Sequence, residues 1–141
     1  MTVNAIASIK TCQKTPDGEN FNIEMMCDAE YIYSFDKCTL KYNEPEGSEL
    51  GKTQTLIEIE DESITLTRSG ENNSRMYFKK GEKYMSVYEM PFGMFSININ
   101  SEYVEISKNE EGAHIEIEYA LELEGIVSSK NKLELDIKRK I

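Results

Sequence analysis

The chain has 141 residues, with 26 acidic against 16 basic side chains and a formal net charge of −10. That length fits one domain with its own core, and the acidic balance argues against partners bound through phosphate, which needs clustered Lys and Arg. The longest basic run is Lys138-Arg139-Lys140, so neither nucleic acid nor an anionic membrane surface is an expected partner.

The N-terminal stretch MTVNAIASIKT contains no apolar run of the ~7–15 residues that a secretory leader needs. No stretch approaches the ~18 apolar residues of a membrane helix, and a cytoplasmic protein is expected. Cys12, Cys27 and Cys38 stand no closer than 11 positions apart. They form no metal or redox spacing and read as free thiols.

Alternation with a period of two runs along the whole chain. It predicts strands near 3–13, 19–28, 30–35, 38–43, 52–60, 62–68, 74–79, 83–89, 93–100, 102–107, 113–124 and 131–139, with some adjacent pairs forming one long bent strand. The clearest run puts Ile115, Ile117, Tyr119, Leu121 and Leu123 on one face and His114, Glu116, Glu118, Glu122 and Glu124 on the other. Only an extended strand separates those sets. Turn chemistry falls between the runs, at Thr15-Pro16-Asp17-Gly18, Ser69-Gly70-Glu71-Asn72-Asn73, Lys80-Gly81, Pro91-Phe92-Gly93 and Glu110-Glu111-Gly112. The polar connection 43–51 reads either as a solvated loop or as a lid over one barrel mouth. Helix is expected to be short or absent.

Many short strands with tight connections and one charged face each predict an all-β fold. We expect one antiparallel up-and-down β-barrel spanning 1–141, because sequential strands pair and closure removes exposed edges. A sandwich is the alternative.

A set of residues spread in order along the chain adds a resemblance. These are Asp17-Gly18-Glu19, the Thr53–Ile59 run, Thr65-Leu66-Thr67-Arg68-Ser69-Gly70, then Ser74, Met76, Phe78, Tyr88, Pro91 and Gly93. Gly112, Tyr119-Ala120-Leu121-Glu122 and Asn131-Lys132-Leu133 complete it. Together they resemble the YwiB-like family of small bacterial proteins. The resemblance implies a calycin-like, lipocalin-type β-barrel and no assigned activity. The chain has no Trp, so the Trp–Arg closure of many lipocalins is absent.

Candidate chemistry is sparse. His114 is the single histidine and shares its outward face with Glu116 and Glu118, which gives no basis for a His-based triad or a metal site. No phosphate loop, dinucleotide fingerprint or nucleophile elbow occurs. No catalytic residue, metal or cofactor is expected, and an enzyme is the less supported class. Arg68 shares parity with Ile64 and Leu66, so its guanidinium starts on the apolar face. It reads either as a structural closure on a carboxylate or as the anchor of an acidic ligand. Met76, Phe78, Tyr84 and Tyr88 point inward by parity. With Tyr119 they read either as plain core or as the lining of a cavity for an apolar, fatty-acid-like molecule. Tyr77, Met85 and Val87 point outward, which suits a homodimer or another protein contact. The leading expectation is a ligand-binding barrel with Arg68 at the head group. The alternative is a filled barrel that acts as an interaction module.

Overall fold

The computed structural model describes residues 2–44, 51–91, 93–123 and 126–140, with the side chains of all of these except 88–90, 95, 126 and 127. Ten strands account for nearly all of them: β1 Thr2–Lys14, β2 Asn20–Tyr33, β3 Cys38–Asn43, β4 Thr53–Ile59, β5 Ser63–Gly70, β6 Ser74–Lys79, β7 Lys83–Met90, β8 Gly93–Asn109, β9 Gly112–Leu123 and β10 Ile126–Arg139. Among the described residues there is no helix.

One antiparallel sheet holds all ten strands, in the order β6-β5-β4-β3-β2-β1-β10-β9-β8-β7. This is the expected meander, and a single continuous sheet disposes of the sandwich. The chain ends meet inside the wall, where β1 and β10 pair from Ala5↔Arg139 to Lys14↔Lys130. The seam falls instead between β6 and β7. There the Ser86 hydroxyl donates to the Arg75 carbonyl, and the rings of Tyr77 and Tyr84 stack tilted with centroids 5.8 Å apart. Below them Gly81 N–H donates to Ser101 O at 2.9 Å and Ser101 N–H to Glu82 O at 3.0 Å. The barrel is nearly closed.

Two pairs of expected runs fuse. Ala29 carries the alternation through residues 28–30, so β2 is one strand. On β8 the register shifts between Ser101 and Tyr103. Glu102 is the additional residue of a bulge, which returns the inward parity from Ile97, Ile99 and Ser101 to Val104 and Ile106.

Inward residues of β3–β6 fall in level rows, because the register places them opposite one another. Cys38, Ile59, Ile64 and Phe78 form the lowest row, and Leu40, Ile57, Leu66 and Met76 the next. All eight are buried in one cluster with Ile99, Ile115, Ile117, Tyr119, Leu135 and Ile137. Burying each large aliphatic side chain contributes about 1.5–3 kcal/mol. Tyr31 plugs the bottom. It is fully buried, and its hydroxyl crosses the barrel to donate to Asn109 O at 2.8 Å, with Gly112 O at 3.1 Å. Gly112 itself sits at φ 153° against β10. A Cβ there would collide with the Ile137 carbonyl, so only glycine lets the two strands approach.

Candidate functional site

The next row up changes character: Tyr42, Thr55, Arg68 and Ser74 stand opposite one another on β3, β4, β5 and β6. The change is written into the strands. Leu40 and Tyr42 give way to Glu44, Ile57 to Thr55 and Thr53, and Leu66 to Arg68. Glu44 keeps the inward parity of β3 past the strand's end, and its amide donates to Thr53 O at 2.8 Å.

The Glu44 side chain is only 4% exposed, against 22% for Arg68. Its Oε1 accepts the Thr55 hydroxyl at 2.6 Å and lies 3.9 Å from Arg68 Nε. That last separation is attraction without a hydrogen bond, and Arg68 Nε is buried with no hydrogen-bond partner among the described residues. Burial, then the Glu44 charge, push the Tyr42 phenol well above its ordinary value. Burial and the same charge raise the Cys27 thiol. Both groups are therefore neutral near pH 7, the opposite of what a nucleophile requires.

Above this row the β1–β2 ribbon rises past the end of β3, since β2 pairs with β3 only from Glu30 to Tyr33. Phe21, Ile23, Met25 and Cys27 keep the parity of buried Ala29 and Tyr31. Yet Phe21 is 49% and Ile23 63% exposed. Among the described residues the upper interior is thus apolar on the β2 side and ionic on the β3–β5 side, and it leaves Phe21 and Ile23 exposed. A groove of about 560 Å³ on the adjoining rim is lined by Asn43, Glu44, Gly51, Lys52, Thr53, Gln54, Ser69 and Glu71.

The residues singled out from sequence do not form one pocket. Met76, Phe78 and Tyr119 lie in the packed core, where the Phe78 and Tyr119 rings meet at a centroid distance of 4.9 Å. Tyr84 is partly buried at the β6–β7 seam beside Tyr77. The Tyr88 side chain and residues 45–50 of the expected lid lie outside the described residues. Arg68 stands in the row immediately above Met76 and two rows above Phe78. Sequence reading missed its partners Glu44 and Thr55. Parity with Cys38, Leu40 and Tyr42 places Glu44 inside, although the polar composition of 43–51 reads as a solvated connection.

His114 sits on the outer wall as expected, with both ring nitrogens engaged. Nδ1 lies 2.5 Å from Asp136 Oδ1 and Nε2 3.2 Å from Glu116 Oε1. Among the described residues no group of three or more His, Cys, Asp or Glu side chains could hold a metal ion.

The architecture has a solved counterpart. The crystal structure of the YwiB protein from Bacillus subtilis superposes with a TM-score of 0.87 at 20% identity, covering 99% of this chain and 94% of that one. The uncharacterized β-barrel protein YwiB of Bacillus subtilis (strain 168) is 26% identical over 103 residues, 73% of this chain and 71% of its own length. Residues 7–135 match the family described as a domain of unknown function, DUF1934, and with that match over nearly its whole length the chain belongs to this family of YwiB-like barrels.

Proposed function

We propose that the barrel binds a small amphipathic molecule with an acidic head group, a lipocalin-type role on a calycin-like fold. The single observation that carries this reading is Arg68. Its buried Nε lacks a hydrogen-bond partner among the described residues, at the upper boundary of a filled apolar core. Such a guanidinium is suited to a carboxylate or phosphate, which it can engage with two parallel hydrogen bonds. The core rows beneath it are occupied, so the apolar part of the ligand extends upward along Met25, Ile23 and Phe21. The three free thiols suit a reducing compartment, and the cytosol completes the proposal.

The test is native mass spectrometry of protein purified from cells, compared with its denatured mass. A discrete added mass, lost on denaturation and weakened by Arg68→Ala, is the expected result. A bare monomer that also takes up no dodecanoate at millimolar concentration overturns the reading.

A specific observation favours a second reading, an interaction module. Met85, Val87 and Met94 are exposed on the outer face of β7 and β8, beside the seam. A dimer in light scattering, abolished by Met85→Lys with the fold intact, would favour that reading over ligand binding.

A further inference from the structure

We infer that Glu44 is the barrel's own occupant of the head-group position, an internal carboxylate that a ligand must displace; this rests on the binding reading above. Three features support it. Glu44 is a nearly buried carboxylate that extends inward from the end of a strand, where a surface glutamate would have been solvated at no cost. Among the described residues its carboxylate is held by one hydroxyl, that of Thr55 at 2.6 Å. And it approaches Arg68 without bonding it, at 3.9 Å from Nε. The pair therefore has the charge balance of a buried ion pair but not its hydrogen bonds, the feature that makes such pairs favourable.

The geometry selects the competitor. Oε1 of Glu44 is shared between the Thr55 hydroxyl and the Arg68 field, so Glu44 cannot present both oxygens to the guanidinium from where it stands. A ligand oxyanion entering from the open end is not tied to Thr55. A carboxylate or phosphate ester can bond Arg68 in the two-pronged arrangement that Glu44 does not reach. Displaced, Glu44 has a short path to water, because it is the first residue beyond β3 and opens on the groove shared with Lys52 and Gln54. An acid is thus preferred over an alcohol of the same chain length, and an empty barrel does not leave a naked guanidinium inside.

Titration calorimetry with dodecanoate and dodecanol tests this on the full chain. Glu44→Gln keeps the shape and the bond to Thr55 but removes the competing charge. It is expected to bind dodecanoate about tenfold more tightly than the parent, with no gain for dodecanol. Thr55→Val, which frees Glu44 to turn both oxygens to Arg68, is expected to weaken dodecanoate binding, and it serves if Glu44→Gln does not fold by circular dichroism. Arg68→Gln should abolish the acid preference in every background. Parent binding that depends on Arg68 but is neither tightened by Glu44→Gln nor weakened by Thr55→Val overturns the displacement model and leaves the binding site standing. No dodecanoate binding by any variant overturns the binding site and the displacement model together.

Discussion

The two ends of this barrel interior are built from the same strands yet solve different problems. At the lower end, rows of Cys38, Ile59, Ile64 and Phe78, then Leu40, Ile57, Leu66 and Met76, close on Tyr31, whose one polar atom is bonded across the floor. At the upper end the same registers deliver Tyr42, Thr55 and Arg68, with Glu44 above them. Inward-facing Phe21 and Ile23 remain exposed there. The bottom rows are filled as interiors require, whereas the top leaves Arg68 Nε buried with no hydrogen-bond partner among the described residues. A fold that can fill one end and leaves the other ionic and open does so at a cost in stability, and such local departures concentrate where proteins bind.

Paired substitutions should break the comparison most visibly. Leu40→Ala, which empties a fully buried position, is expected to cost about 2–5 kcal/mol, whereas Ile23→Ala at the open end should cost about 0.5 kcal/mol or less. Urea midpoints of the two variants measure the difference, and equal losses would show the upper end to be as filled as the lower. Next in size is Glu44→Gln. Losing the carboxylate leaves the Arg68 guanidinium uncompensated, a destabilisation of about 1–3 kcal/mol that the double variant Glu44→Gln/Arg68→Met should largely recover. No recovery would mean that the pair is not coupled at 3.9 Å. Tyr31→Phe strips the floor of its cross-barrel bond to the Asn109 carbonyl, for about 1–2 kcal/mol by thermal or urea unfolding.

The contrast between the ends was only half legible in the sequence. Strict alternation on β9 and β10 marks one face of each strand, so Ile115, Ile117, Leu133 and Leu135 are legible as the inward side of the barrel wall. Register is a different matter. Which row Arg68 shares depends on hairpin geometry, and only the pairing Arg68↔Ser74 reveals that Met76 and Phe78 lie beneath it in filled rows. Glu44 was hidden by composition, because an acidic residue beside Pro and Gly reads as solvated loop whatever its parity. The bulge at Ser101–Tyr103 has no signal in period-two counting except the break between the runs 93–100 and 102–107. The position of the seam was equally silent. It depends on β7 and β6 lying side by side without a ladder, a property of the closed sheet and not of either strand.

The smallest expected effect lies on the outer wall over the closed end. Register places Glu105, Glu116 and Glu134 directly opposite one another on β8, β9 and β10, a like-charge row that is unfavourable for sheet pairing. His114 stands one position along, facing Asp136 from β10, Glu116 on its own strand and Ser107 from β8. The Asp136 contact, then burial acting against it, then Glu116, leave the imidazole above its ordinary 6.5. A folded-state pKa above the unfolded one means that protonation stabilises the fold. That contribution is fully present below about pH 6.5 and is lost as pH rises through the higher folded value. Because the side chain is 39% exposed, solvent screening holds it to about 0.3 kcal/mol or less. Urea midpoints at pH 6 and pH 8 should therefore fall slightly more for the parent than for His114→Gln. Salt should shrink that difference, since it acts on exposed charges first. A parent that instead gains stability relative to His114→Gln over this interval would show that the imidazole is neutral in the fold, and that the glutamate row is relieved by something other than His114.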